Sequence, residues 1–151
     1  MRENKQRGTA MIEFVLIAPI LFGVLFAIIE FGWTYYQILD TRHGAREGAR
    51  LVAVNYAPGG VTGATQRDAL IAEICSRVEE STGTRVEITF ADATKTEAGD
   101  TGVVRVERDL VQLTNFYDVF LNSVVPSSDV TFRLERDASW VETGGAPQAC
   151  P

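Results

Sequence analysis

Histidine and cysteine are almost missing from this chain, which holds one of the first and two of the second in 151 residues. There is no CxxC pair and no Cys/His cluster, so nothing has the spacing of a zinc site. His43 lies beside Arg42 in a helical stretch and suits a solvated or interfacial position better than a general base. No serine or cysteine has a base partner near it in sequence, and no glycine-rich loop leads from a strand into a helix. We therefore expect no catalytic residue, no metal and no cofactor. A basic surplus is missing too. The first eight residues carry Arg2, Lys5 and Arg7 against Glu3, a net of +2, so the chain total of −6 leaves −8 for the rest. Such a balance argues against nucleic acid as a partner and against broad electrostatic docking of the distal part on anionic lipid.

What the chain does have is one long apolar block. Phe14 to Ile29 reads FVLIAPILFGVLFAII, without a charge over 16 positions. As a helix it spans roughly 24 Å, slightly less than a bilayer's hydrocarbon core. Extension from Thr9 to Trp33 makes it long enough but takes in Glu13 and Glu30. Trp33, Tyr35 and Tyr36 follow, as at a membrane–water interface. Pro19 and Gly23 inside the run are tolerated in membrane helices. A cleaved secretory signal would need small residues at the exit, where this chain has IIEFGWTYYQ. The block reads as a retained anchor. The basic start favours a cytoplasmic N-terminus and an extracytoplasmic remainder.

Glu13 stands in the first turns of the apolar run, where a carboxylate costs a few kcal/mol unless it is paired, protonated or able to reach the headgroups. The residues around it suggest a partner. A cut after Gly8 would give Thr9 an α-amino group and make Glu13 the fifth residue of the shortened chain. A short basic leader, Gly, four residues, then Glu and an aromatic resembles the cleavage motif of prepilin-like proteins. The pair Glu13-Phe14 with Thr9 in first place, and the stretch Ala45-Arg46-Glu47-Gly48-Ala49-Arg50 about 30 residues later, resemble TadE-like pseudopilins of the tight-adherence (Flp-type) pilus system. Ordinary type IV pilins usually place Phe first. The resemblance covers about residues 7–56 and implies processing by a prepilin peptidase and association with other pilin-like subunits.

Beyond the anchor, Ile38, Ala45, Ala49 and Val52 keep to one helical face. Gly44 and Gly48, like Ala45 and Ala49, are four apart, so this face admits close approach by another backbone: the sheet of this chain, or a second subunit. Arg42, Arg46 and Arg50 form a basic stripe. The helix should stop at Pro58-Gly59-Gly60. A second helix is expected from Thr65, its cap, to Ser81, with Leu70, Ile71, Ile74, Cys75 and Val78 as its apolar stripe. Val86, Ile88 and Phe90 alternate in one strand; Val104, Val106 and Leu110 mark a second, interrupted by Arg108; Val130, Phe132 and Leu134 mark a third. A short helix is expected at 115–124, and the tail after it looks irregular. Cys75 and Cys150, both expected outside the cytoplasm, can pair within the chain or bridge two subunits.

The expected architecture is thus α+β: a leader (1–8), a transmembrane helix (9–33), its extension (34–57), and an extracytoplasmic domain (58–151) with a second helix and a three-stranded antiparallel sheet, a pilin-like shape. The resemblance implies a structural pseudopilin or minor pilin in the cell membrane, possessing no catalytic activity. The alternatives are a type IV or type II secretion pseudopilin and a membrane-anchored binding module.

Overall fold

The computed structural model describes residues 3–79, 82–92, 96–114, 117, 121, 124–138, 140 and 146–150, with the backbone alone at 3–7 and 64. One helix dominates it. Helix α1 runs unbroken through Glu3–Ala53 and contains Pro19. Its 51 residues extend over about 75 Å. The N-terminal part is apolar on every side and uncovered: Met11, Phe14, Ile17, Ile20, Leu21 and Ile28 are all well exposed. Among the described residues this is one helix long and apolar enough to cross a membrane.

The C-terminal part of α1 carries the domain. Its end comes four residues before the extension's expected end at 57. Asn55, at φ 50°, takes the left-handed position after the helix. Tyr56 N–H donates to Leu51 O at 3.0 Å and Asn55 N–H to Val52 O at 2.9 Å, the paired bonds of a Schellman stop. Asparagine tolerates that backbone better than most residues, so the helix ends before the Pro-Gly-Gly turn is reached. Pro58–Gly60 then forms a separate 3-10 turn.

Helix α2 covers Gln66–Cys75, shorter than expected. Thr65 does not cap it. A 3-10 turn at Gly63–Thr65 leads straight in, so Thr65 already has helical dihedrals, whereas a capping residue needs an extended backbone. At the other end the chain tightens into turns, with Arg77 N–H on Ile74 O and Val78 N–H on Cys75 O. Leu70, Ile71, Ile74, Cys75 and Val78 are nevertheless all buried, so the expected stripe outlasts the helix.

Four strands form one antiparallel sheet: β1 (Thr84–Phe90), β2 (Thr101–Arg108), β3 (Ser127–Arg133) and β4 (Gln148–Ala149), in the order β3-β2-β1-β4. Residues pair from Thr84 with Arg108 to Phe90 with Gly102, and from Thr101 with Arg133 to Glu107 with Ser127. The inner face holds Val86, Ile88, Phe90, Val104, Val106 and Phe132, packed on α1 and α2. Phe90 meets Phe132 edge-on and Trp140 at a tilt, with ring centres 5.7 and 5.2 Å apart. Gly102 has no room for a side chain, because an added Cβ would lie 2.4 Å from the Phe132 ring and 2.6 Å from Thr89 O. On the outer face Arg105 grips Asp129 through bonds of 2.7 and 2.8 Å, and this holds the Asp129 carboxyl below its usual range.

The fourth strand corrects the expectation of three strands and an irregular tail. Cys150 is bonded to Cys75. The bond brings the tail along the free edge of β1, where Cys150 N–H donates to Thr84 O at 2.9 Å. Leu110 lies beyond the end of β2. The expected helix at 115–124 falls largely outside the described residues.

The bond joins residues 75 apart in sequence, so its loss should cost up to about 4 kcal/mol in the chain-entropy picture. Thiol-alkylation mapping of protein from its native envelope should return a Cys75–Cys150 peptide. Cys150→Ser should lower the urea midpoint of the detergent-solubilised chain; an unchanged midpoint would contradict this.

Candidate functional site

Two regions of α1 carry chemistry, and they lie at opposite ends of its apolar stretch. The first is the N-terminal motif. Gly8, Thr9, Glu13 and Phe14 are all exposed on α1, with Thr9 and Glu13 one turn apart on the same side. Residues from Glu3 to Gly8 belong to the same helix. A Cβ added at Gly8 would meet nothing within 4 Å, so the fold of this chain does not require a glycine there. Among the described residues the Glu13 carboxylate has no hydrogen-bonding or ionic partner, although apolar side chains surround it on the helix surface.

The second region is a polar seam on the buried side of α1. Glu30, Thr34 and Gln37, then the adjacent Asp40 and Thr41, recur at three- and four-residue steps and are all buried. Glu30, Gln37 and Asp40 each hold partners from distant parts of the chain. The Glu30 carboxylate accepts from the backbone N–H groups of Leu113 and Thr114 at 3.0 and 2.9 Å, and from the Thr114 hydroxyl at 2.8 Å. The Gln37 amide both donates to Val111 O and accepts from Val111 N–H, each at 2.9 Å. Trp33 Nε1 also donates to Val111 O at 2.8 Å. Arg108 donates to Asp40 Oδ2 at 3.0 Å, with both side chains almost wholly buried. Asp40 Oδ1 also accepts from Glu79 N–H. Further toward the N-terminus, the Tyr117 hydroxyl donates to Gly23 O at 2.7 Å. Glu30 is therefore not a membrane carboxylate awaiting a headgroup; it organises a loop.

Arg108 is the residue that sequence reading placed as an interruption of a strand's inner face. It does occupy that face, and Asp40 is the reason it can. The signal available in the sequence was the regular spacing of polar residues from Glu30 to Thr41, directly after an apolar helix. The partners of Glu30, Gln37 and Asp40 in and after β2 are 68 to 84 residues away.

The small-residue face is likewise turned inward. Gly44, Ala45, Gly48 and Ala49 are buried in the chain's own domain. A Cβ at Gly44 would sit 2.7 Å from Val78, and one at Gly48 would lie 3.0 Å from Ile74 and 3.2 Å from Val104. Of the two partners left open for this face, the chain's own α2, the turn after it and β2 meet it, because the sheet and second helix need close approach to α1. The charges of the same stretch point outward. Arg46 and Arg50 are exposed, and Glu47 pairs with Arg77 at 3.0 Å and with Arg50 at 3.7 Å.

A helix long and apolar enough to span a bilayer, with an α+β domain seated on its far half, fits a single-pass membrane protein. Residues 8–50 match the family described as TadE-like protein, a match that covers the N-terminal motif, the apolar run and the seam residues of α1. Over that segment the chain is similar to TadE-like proteins, consistent with a pilus-system protein; the distal domain lies outside the match. No curated protein and no solved structure matches the chain.

The buried pair makes a sharp prediction. Arg108→Met strands a buried carboxylate and should cost about 3–5 kcal/mol. Among the described residues Arg108 Nε has no partner, so the pair is not fully satisfied there. Asp40→Leu with Arg108→Met should therefore recover most of that loss, in line with apolar replacement of other buried pairs. Urea unfolding of the parent and the two variants in detergent decides it, and a double variant less stable than the single would refute the pairing.

Proposed function

We infer that this chain is a structural pseudopilin or minor pilin of a tight-adherence pilus, anchored by α1 and processed by a prepilin peptidase between Gly8 and Thr9. The observation that carries the reading is Glu13: an exposed carboxylate at the start of an apolar helix, one turn after Thr9, inside the segment that is TadE-like. Cleavage removes the basic leader and gives Thr9 an α-amino group. When apolar helices bundle, that amine neutralises Glu13 of a neighbouring subunit. A charge in lipid must be paired to be tolerated, so the contact supplies axial register as well as attraction. The basic leader favours a cytoplasmic N-terminus, and the Cys75–Cys150 bond suits a domain on the oxidising side. Assembly of this kind asks for no catalysis and no cofactor. Its partners are the membrane, the peptidase and other pilin-like subunits.

N-terminal sequencing or intact-mass analysis of native protein should give a chain beginning at Thr9. A chain beginning at Met1, or beyond Ile29, would remove the reading. Gly8→Trp should accumulate as the full-length membrane form. Because a side chain at Gly8 meets open space, that block would reflect the peptidase and not misfolding.

Glu13→Val should insert into the membrane at least as well as the parent, since it deletes a charge from an apolar helix. It should lose co-purification with other pilin-like subunits and lower piliation. Wild-type association and piliation in this variant would show that charge pairing is not the mechanism.

A further inference from the structure

We propose that α1 crosses the bilayer tilted toward its free side, laying its exposed face from Phe31 to Arg46 in the lipid interface. Tyr35 and Leu39 enter the acyl boundary, and Arg42 and Arg46 hold headgroup phosphates of the same leaflet. The partner is the phospholipid bilayer.

The first argument is length. In the sequence the uncharged run ends at Ile29, because Glu30 follows. In the structure Glu30 has no exposed surface, and Thr34, Gln37 and Asp40 are buried on the same side of the helix. The large side chains left open between Glu30 and Asp40 are apolar or aromatic: Phe31 and Tyr35 are 60% exposed and Leu39 45%, with Tyr36 beside them. The free side of α1 therefore carries no exposed charge from Phe14 to Leu39. That surface is about 38 Å long, against about 30 Å of hydrocarbon core. A helix whose apolar surface outruns the core is accommodated by tilting or kinking, and α1 is one unbroken helix, which favours tilt.

Direction supplies the second argument. Tilt and rotation are set by the residues that anchor a helix at the interface. Phe31, Tyr35, Leu39, Arg42 and Arg46 recur at three- and four-residue steps, so they share one side of α1. The domain occupies the opposite side, where Glu30, Gln37, Thr41 and Ala45 are buried. Tilting toward the free side lowers Tyr35 and Leu39 into lipid and lifts the charged domain away from it. The opposite tilt would press charged domain surface into hydrocarbon, at a large cost. The third argument is charge. Arg42 and Arg46 are exposed and, among the described residues, have no hydrogen-bonding or ionic partner, whereas Arg50 pairs with Glu47. They follow Leu39 by about 5 and 10 Å along the axis, and the headgroup band is roughly 5–8 Å deep on each side, so a tilted axis brings both within reach of it. An arginine lays its apolar stem along such a boundary and bonds phosphate oxygens through its guanidinium. The contact lies on the helix alone, so the acidic balance of the domain does not oppose it.

The inference rests on the membrane-spanning reading of α1 and not on the pilus reading. The test uses the full chain, with its disulfide intact, reconstituted in vesicles of phosphatidylcholine and phosphatidylglycerol. Single nitroxide labels are placed on Tyr35→Cys and Leu39→Cys, with Ile17→Cys as the spanning-helix reference. Glu135→Cys is the distal reference, because Glu135 N–H bonds Ala53 O at the far end of α1. Oxygen and a water-soluble nickel chelate are the relaxants. On an upright helix Leu39 stands roughly 15 Å beyond Ile29, and its label should match that at 135. On the tilted helix the labels at 35 and 39 should give an oxygen-to-nickel accessibility ratio several-fold above that at 135. Arg42→Glu with Arg46→Glu, at exposed positions with no partner to lose, should at least halve the ratio at 39 and leave those at 17 and 135 unchanged. Ratios at 35 and 39 equal to that at 135, with 17 in lipid, would overturn the tilt while leaving the anchor standing. A water-exposed label at 17 would overturn both. A ratio at 39 that the double glutamate variant does not move would overturn the phosphate contact. Labels at 39 shielded from both relaxants, and broadening one another until diluted with unlabelled chain, would assign the face to a second copy and overturn the lipid reading. If Leu39→Cys misfolds, Tyr35→Cys is read the same way against the same references.

Discussion

The polar seam on α1 is the constraint on which the rest of the structure depends. Glu30, Gln37 and Asp40 are buried on a helix that has just left an apolar run, and each would be costly to bury without a partner. Each has a partner from β2 or the chain that follows it, and Asp40 accepts a further bond from Glu79 N–H before β1. A buried charge pair tolerates little change of register, because a shift of one turn strands both ions. The seam therefore fixes where along α1 the sheet sits, not merely that it packs there.

Close packing on the next turns follows from that register. Gly44 and Gly48 lie so close to Val78, Ile74 and Val104 that an added Cβ would sit 2.7 Å from Val78 or 3.0 Å from Ile74. Polar contacts at one end of the face and small residues at the other hold α1 against the domain over its whole C-terminal half. Cys150 closes the remaining edge through Cys75 and adds a short strand to β1. The anchor and domain share a single helix without a flexible linker, so the domain's height above the membrane is set by the length of α1.

That rigidity bears on the proposed assembly. If Thr9 and Glu13 set the register between subunits, a continuous α1 carries that register to the domain along a helix of known rise. The N-terminal motif and the seam then have complementary tasks: one aligns chains with one another, the other aligns each domain with its own anchor.

Much of this was legible in the sequence because it is local. The apolar run, the aromatic exit, the alternation of Val86, Ile88 and Phe90, and the stripe from Leu70 to Val78 depend on periods of 2 and 3.6 residues, which a single chain displays openly. The TadE-like resemblance, read over about residues 7–56, rested on the short motifs around Gly8 to Phe14 and Ala45 to Arg50, and the family match at residues 8–50 includes both. The cap and strand count were less accessible: Thr65 failed as a cap because of the turn before it, and β4 exists through its contacts with β1 and Cys75. What only the tertiary structure decided is which partner a given face meets. Gly44, Ala45, Gly48 and Ala49 announced close approach without naming the backbone that approaches. Glu30 and Arg108 looked like interruptions because their partners lie 83 and 68 residues away. A local pattern shows that a side chain needs a partner; only folding brings distant residues near enough to become one.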